Sequence, residues 1–374
     1  MSEKRLTPPP FRAEHIGSLL RPASLLDLRR RHAAGAVSDE ALKAGEDAAI
    51  RDAVALQERV GLRVATDGEF RRHSYHSYFF AQLGDIKPDY VPGDDGEATA
   101  ATPRRAAQPI ARINSRVAWT KPIHAEDFRF LKSLTKLTPK ITIPGPCALH
   151  FRGGDQAVLA SAYRDTDAFW SDVVEAFRKE LASLAQAGCG YVQMDETAFA
   201  KFGDPHVQAS LAARGDEWSR LIDRYIEVTN AVLKGVDQPR VGMHLCRGNR
   251  AGQFHSEGGY DVVAERLFNR LDIDIFFLEY DSERAGDFSP LRHVPKGKHV
   301  VLGLVSTKTG DLETRGALLR KVEAATKFVD LDHLAISPQC GFASVDRGNP
   351  LSQQAQEDKL RLVVETAREI WGEA

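Results

Sequence analysis

The stretch VGMHLCRGN, residues 241–249, places a histidine and a cysteine two positions apart at the end of an apolar run. In a β-strand, the side chains at positions i and i+2 point to the same face, so His244 and Cys246 could bind one ion together. Thiolate and imidazole ligands favour zinc over magnesium or calcium. Two residues are a weak signal, and a metal site needs further ligands.

Two further residues of suitable chemistry stand near the ends of later apolar runs. Glu279 lies in IFFLEYD, and Cys340 closes LAISPQC. With His244 and Cys246 they offer one nitrogen, two sulfurs and one oxygen, a set that fits Zn²⁺. Structural zinc sites usually pair cysteines close in sequence, whereas these four residues come from three separate runs. The sequence therefore predicts a catalytic zinc site.

The charge of these ligands indicates a class of reaction. Two thiolates and a carboxylate bring about three negative charges to the two positive charges of zinc, which makes the ion a poor Lewis acid. Such a centre is poorly suited to activating water for hydrolysis. It is suited to binding an incoming thiol, favouring loss of its proton and leaving the sulfur nucleophilic. We therefore expect alkyl transfer to a thiol.

Other run ends carry groups suited to binding an amino acid. Glu69 in TDGEFRR and Asp195 in QMDET could bind a substrate ammonium, and the backbone amides around Gly17 and Ser18 could bind a carboxylate. A thiol that carries both groups is an amino acid such as homocysteine. The alternative for Glu69 and Asp195 is an ion pair with a neighbouring arginine or a helix cap.

The run EFRRHSYHSYFF, residues 69–80, interleaves basic and aromatic residues. It could line a pocket for a flat, anionic second substrate. An amphipathic helix with core aromatics and a solvated basic face explains the same pattern. Both interpretations stay open at the level of sequence.

The elements that must position these residues are short apolar runs that alternate with helical patterns. Helices are predicted over 165–188, 215–235, 259–271, 312–329 and 353–374. Eight runs are candidate strands, which favours a TIM (β/α)8 barrel over a doubly wound sheet, because the polar residues fall at the carboxyl ends of the runs and would converge on one face. The candidate strands are AEHIGS, RVATDGE, KITIPGP, YVQMDE, VGMHLC, IFFLEYD, VVLGLVS and LAISPQC.

Length and composition are compatible with one catalytic domain over residues 1–374. A biased stretch at 91–109 predicts an inserted loop, within an insertion at 88–125 after the second strand and near the active-site face. A net charge of −2 gives no reason to expect nucleic acid. With no long apolar run and no signal peptide, we expect a cytoplasmic protein without a membrane partner, whose four cysteines stay reduced. Homo-oligomerisation is left open.

The motifs HIGSLLRP, DGEF, YVQMDET, HLC, LEYD and ISPQCGF, in this order, resemble the cobalamin-independent methionine synthase family over almost the whole chain. The chain is most similar to single-barrel members related to the catalytic C-terminal half, a subgroup described as 5-methyltetrahydropteroyltriglutamate-homocysteine methyltransferase-like. The resemblance implies a TIM barrel with zinc bound by the four predicted ligands. It also implies an amino-acid thiol bound by the backbone around Ile16 and Ser18 and by Glu69 and Asp195.

In that family the zinc-bound thiolate of homocysteine attacks the methyl group of a 5-methyl-folate directly, without cobalamin. The family's N-terminal barrel, which helps to bind the polyglutamate tail, is absent here, so the methyl donor stays open. The related epoxyalkane coenzyme M transferases alkylate a sulfonate thiol that has no ammonium for Glu69 and Asp195 to bind. A zinc-storing or thiol-binding barrel without turnover, or a barrel with a purely structural metal, is the alternative outside enzymes.

Overall fold

The computed structural model describes residues 10–84, 86–89, 110–160 and 162–374. Its strands are short, and most of them are separated by helices. The strands are β1 (Val64–Ala65), β2 (Ile86–Asp89), β3 (Ile110–Ile113), β4 (Thr138–Pro139), β5 (Ile141–Pro144), β6 (Tyr191–Glu196), β7 (Arg240–Leu245), β8 (Ile275–Glu279), β9 (His299–Val305) and β10 (Leu334–Pro338).

The helices carry local signals of where they begin and end. Helix α6 begins after Asp165, whose side chain accepts a hydrogen bond from the amide of Ala168 at 2.8 Å, as a capping residue does. The helices are α1 (Ala23–Ala33), α2 (Asp39–Val60), α3 (Ser77–Ala81), α4 (Ala125–Leu134), α5 (Ala148–Leu159), α6 (Thr166–Gln186), α7 (Pro205–Ala213), α8 (Trp218–Leu233), α9 (Asp261–Arg270), α10 (Arg315–Ala325) and α11 (Gln353–Trp371). Short 3₁₀ helices span Phe199–Lys201, Glu283–Ala285, Ser289–His293 and Leu331–His333.

The strand order identifies the fold. Strands β5 to β10 form a parallel sheet in chain order, and β1 pairs in parallel with β4, which directly precedes β5. At the other edge, Ala13 forms a parallel bridge with Ile336 of β10. A sheet whose order never reverses, and whose last strand meets the first segment of the chain, is a (β/α)8 barrel rather than a doubly wound sheet. The predicted fold class is confirmed.

Two of the predicted strands differ in detail. The run AEHIGS contributes only the isolated bridge of Ala13, because the chain from residue 14 onward turns into the loop that carries Ser18. The run KITIPGP begins at Lys140, directly after β4, and strand β5 begins at the next residue, Ile141. Lys140 therefore separates β4 from β5. Its amide still donates to the carbonyl of Ala65 at 2.8 Å, so β4 and β5 act as one barrel strand.

The barrel strands are buried on both faces, as expected for a parallel sheet covered by helices. The helices pack through one face: in α8 the buried residues Ile222, Tyr225, Thr229 and Val232 recur at intervals of three or four along the chain. This core fixes the strand ends, where the predicted site residues lie.

The predicted loop at 91–109 lies outside the described residues. On either side of it, β2 and β3 pair as an antiparallel hairpin, with Ile86 opposite Ile113. In the described part of the chain, no helix has the length and apolar character needed to cross a membrane.

Candidate functional site

The four predicted metal ligands lie together at the carboxyl ends of three barrel strands, β7, β8 and β10. His244 lies near the end of β7, Cys246 follows that strand directly, Glu279 ends β8, and Cys340 follows β10. One ligand atom from each residue lies within 4.8 Å of all the others, and all four side chains are buried. Residues separated by up to 96 positions therefore form one cluster.

The cluster has the donor chemistry of a zinc site, and its two sulfurs lie nearly as far apart as two ligands of one ion. The sulfurs of Cys246 and Cys340 lie 3.5 Å apart, and two sulfurs bound to one zinc at about 2.3 Å each would lie about 3.8 Å apart. Among the described residues, neither ring nitrogen of His244 nor Oε1 of Glu279 has a conventional hydrogen-bond partner, although these atoms are buried. Buried polar atoms are normally satisfied, so these three atoms fit a cation between them.

The two sulfurs influence each other's protonation. Their contact lowers the pKa of Cys340 well below its usual range, helped by the imidazole of His244. The same contact, together with burial, raises the pKa of Cys246. A bound divalent cation would favour the deprotonated form of both thiols, because a coordinating thiol is deprotonated.

A surrounding set of contacts holds Glu279 in place. The amide of Arg247 donates to Oε2 of Glu279 at 3.2 Å, and the Arg247 guanidinium donates to the Glu279 carbonyl at 3.1 Å. The hydroxyl of Tyr260 accepts from the amide of Glu279 at 2.9 Å and lies 3.1 Å from Arg247 Nη1. Such outer contacts orient ligating carboxylates and tune a metal site.

Glu69 is held in a strained loop with one carboxylate oxygen unpaired. Its φ of 61° lies in the left-handed region, which is uncommon for a residue other than glycine and recurs at binding sites. Oε1 accepts from the Thr142 hydroxyl at 2.8 Å and lies 4.0 Å from Arg72 Nη1. Among the described residues, Oε2 has no partner. Burial raises the pKa of Glu69, against the effect of Arg72.

Asp195 lies on β6 in register with His244 of β7 and therefore beside the cluster. Its Oδ1 accepts a hydrogen bond from Gln193 Nε2 at 2.8 Å. Burial raises the pKa of Asp195 to about 7, and the nearby Glu69 carboxylate adds to the rise. A bound cation would stabilise the ionised forms of both of these neighbouring buried carboxylates, whose pKa values are raised.

The segment around Ser18 presents backbone to the same region. The Ile16 carbonyl accepts from Gln193 Nε2 at 2.6 Å, which fixes this segment against β6. The Ser18 carbonyl accepts from the amide of Phe342 at 2.9 Å, next to Cys340. Within the described chain the amide of Ser18 donates no hydrogen bond, so it is free to bind a carboxylate.

A cavity of about 470 Å³ borders the cluster, and Cys246 lies in its wall. The run EFRRHSYHSYFF contributes to both of its predicted environments. Tyr75 and His76 line the cavity, whereas Phe79 and Phe80 pack in the core. Of the two interpretations left open, the solvated basic face does not apply to Arg72, which is 1% exposed because its guanidinium lies near Glu69 and donates to Thr142 at 2.9 Å.

Three polar residues of this region were not among the predicted site residues. Arg152 and Lys201 line the cavity, on α5 and on the 3₁₀ helix that follows β6. Gln193 holds both Ile16 and Asp195. Gln193 could have been found, because it stands two positions before Asp195 in a strand and so shares its face. Nothing in the local sequence marked Arg152 or Lys201.

The fold and the cluster together define an enzyme of the barrel class, with its site at the carboxyl ends of the strands. Residues 11–369 match the family described as the cobalamin-independent synthase, catalytic domain. The chain therefore belongs to this family and is an enzyme of the methyltransferase class, which confirms the resemblance read from its motifs.

Relatives and solved structures agree with this assignment. The uncharacterised protein YxjG of Bacillus subtilis is 39% identical over 97% of this chain and 95% of its own. Methionine synthase of Pyrococcus abyssi is 25% identical over 89% of this chain and 86% of its own. A putative vitamin-B12 independent methionine synthase of Listeria monocytogenes is 32% identical with a TM-score of 0.76, covering 98% of this chain and 100% of that one.

Proposed function

We propose that this protein is a zinc-dependent S-methyltransferase that moves a methyl group from 5-methyltetrahydrofolate, or a similar donor, to the thiol of homocysteine and forms methionine. The observation that carries the proposal is the buried cluster of one nitrogen, two sulfurs and one oxygen within 4.8 Å, with two buried carboxylates beside it. The archaeal relatives named methionine synthase support the same acceptor. We place the reaction in the cytoplasm, where thiols stay reduced.

In this proposal His244, Cys246, Glu279 and Cys340 would hold the zinc. When bound, the ion would lower the pKa of the homocysteine thiol and keep its sulfur nucleophilic. The residues around the cluster orient the amino acid, and the buried setting excludes water from the reacting sulfur. The sulfur then forms a bond to the methyl carbon while the bond between methyl and donor breaks, the electron pair stays on the donor, and the thiol proton is released.

The contacts to the amino acid come from both sides of the cluster. Glu69 and Asp195 bind the ammonium, which favours their ionised forms and lowers their raised pKa values. The free amide of Ser18 binds the carboxylate. Holding both ends of the amino acid fixes the direction of its side chain, so that the thiol reaches the cluster.

A sulfonate thiol of the coenzyme M type fits these residues less well. It has no ammonium, so it would leave Glu69 and Asp195 buried without a bound cation, and Oε2 of Glu69 without a partner from the described chain. Burying an uncompensated charge is costly. The paired carboxylates therefore favour an amino-acid thiol.

The metal assignment is tested by metal analysis of cysteine variants. We expect about one zinc per chain in the wild type and its loss in Cys246→Ser and Cys340→Ser, because thiolates are the strongest ligands of the set. Cys189→Ser is the matched control, since Cys189 is also buried but contacts the backbone of Tyr191 instead. Full zinc in both ligand variants would remove the site.

The acceptor is tested by comparing two thiols. Binding of homocysteine and of 4-mercaptobutyrate, which lacks the amino group, is measured by calorimetry on the zinc-loaded protein. Glu69→Gln and Asp195→Asn should each weaken homocysteine about tenfold or more, because a charge-assisted contact contributes about 1.5–3 kcal/mol. They should change 4-mercaptobutyrate much less. Equal losses for both thiols would contradict the ammonium assignment, and the exposed variant Asp27→Asn serves as control.

A further inference from the structure

The cavity beside the cluster is lined by more cations than the thiol site uses. Arg152 and Lys201 both face it. Among the described lining residues, the one carboxylate is that of Asp346, which is held in ion pairs with arginines of α1 and its N-terminal flank. Arg152 and Lys201 therefore bring positive charge to the cavity that no described lining carboxylate pairs with.

Arg152 and Lys201 form part of the cavity wall. Lys201 is only 2% exposed, and its Nζ lies 5.4 Å from the ring centroid of Phe151. In the described part of the chain neither cation forms an ion pair with a carboxylate; Glu196 and Glu279 act on Lys201 only at longer range. Burial lowers the pKa of Lys201 to about 7, and a bound anion would favour its protonated, cationic form.

The direct contacts of Arg152 are with uncharged groups. Nη1 lies 2.7 Å from Nε2 of His76, and Nη2 donates to the hydroxyl of Tyr75 at 2.8 Å. Burial, with the charges of Arg152 and Lys201, lowers the pKa of His76, so its ring is neutral and accepts this hydrogen bond. Burial likewise raises the pKa of Tyr75 to about 12. These contacts orient the guanidinium without neutralising it.

We propose that Arg152 and Lys201 form an anion-binding subsite for the methyl donor, and that the donor carries a carboxylate or phosphate group close to its transferable methyl group. This inference rests on the proposed thiol site and narrows the second substrate. Because Cys246 and the two cations face one cavity of about 470 Å³, a donor bound by its acidic group has its methyl group near the thiol. In a 5-methyl-folate the carboxylates lie at the far end of an aromatic linker from the methylated nitrogen, so of the two donors named in the proposed function this inference selects the similar donor and not the folate.

The same cations assist the transfer itself. When the bond between the methyl carbon and the donor's heteroatom breaks, its electron pair stays on the heteroatom, which becomes more negative. The new bond joins the methyl carbon to the thiol sulfur, and no oxidant or reductant is required. Fixed positive charges near the leaving atom stabilise this developing charge without reorganisation.

The subsite is tested by anion binding to the zinc-loaded protein in the absence of thiol. Inorganic phosphate and acetate are titrated separately by calorimetry, so that the two anion chemistries are distinguished. We expect one of them to bind the wild type and to bind Arg152→Gln and Lys201→Gln about tenfold more weakly or worse, as for loss of a charge-assisted contact. Arg220→Gln, at a largely exposed cation, should bind as the wild type does.

Three results decide the matter. Arg152→Lys keeps the charge and should retain most of the binding even if Arg152→Gln folds poorly. Wild-type protein that binds neither anion, or variants that bind as tightly as the wild type, would overturn the subsite. Homocysteine affinity should stay unchanged in Arg152→Gln, so loss of anion binding with intact thiol binding separates this inference from the proposed function.

Discussion

Gln193 links the barrel interior to the thiol site, and its replacement gives a sharp prediction. The side chain is fully buried in β6. Its Nε2 donates to the Ile16 carbonyl at 2.6 Å and to Asp195 Oδ1 at 2.8 Å, and its Oε1 accepts from Lys140 Nζ at 3.0 Å. Gln193→Leu keeps most of the volume and removes all three hydrogen bonds. We therefore expect the free energy of unfolding to fall and the side chain of Asp195 to lose its fixed orientation.

The magnitude follows from the partners. Two of the hydrogen bonds reach charged groups and contribute about 1.5–3 kcal/mol each, and the bond to the Ile16 carbonyl contributes about 0.5–1.5 kcal/mol. If the three add, the free energy of unfolding falls by about 3.5–7.5 kcal/mol, with the lower end expected because Lys140 keeps Glu14 at 3.0 Å. Homocysteine should bind about tenfold more weakly, because Asp195 loses its fixed orientation.

The assay combines urea unfolding with calorimetric titration of homocysteine. The matched control is Tyr191→Phe, two positions earlier in the same strand, which removes a 3.1 Å hydrogen bond to Glu14 and leaves Asp195 untouched. It should lose about 1.5–3 kcal/mol of stability, because its partner is a carboxylate, and keep its homocysteine affinity. A Gln193→Leu protein that folds and binds homocysteine as tightly as the wild type would refute the reasoning.

Two further predictions concern packing and pH. In Gly341→Ala the new Cβ would lie 1.9 Å from Ser18 Oγ, so Ser18 must move. Homocysteine binding, measured by calorimetry, should weaken about tenfold. An unchanged affinity would contradict this prediction. Burial raises the pKa of Glu196 from 4.5 to about 7, so the native state binds more protons than the unfolded state between these values and stability falls as pH rises. Glu196→Gln should remove about 3 kcal/mol of that fall between pH 5 and 8 in urea unfolding; the same fall in both proteins would contradict it.

Much of the barrel could be predicted from the chain because its signals are local. Seven of the eight apolar runs contain a strand, since short β-branched and apolar segments bounded by glycine or polar residues favour that conformation. The run AEHIGS failed as a strand because most of it is drawn into the loop that presents Ser18. The environment of Arg72 stayed open at the level of sequence, because its burial depends on Thr142, a hydrogen-bond partner 70 positions away that no local pattern reveals.

The sequence by itself determined the pairing of His244 with Cys246, because the two-residue period of a strand puts both on one face wherever that strand lies. It also determined which ligand chemistry was available and that the polar residues cluster at the ends of the apolar runs. Only the tertiary structure decided that the Cys340 sulfur lies 3.5 Å from that of Cys246, and that Arg152 and Lys201 face the same cavity. Such contacts depend on strand register and barrel closure between distant parts of the chain, and no local period encodes either of them.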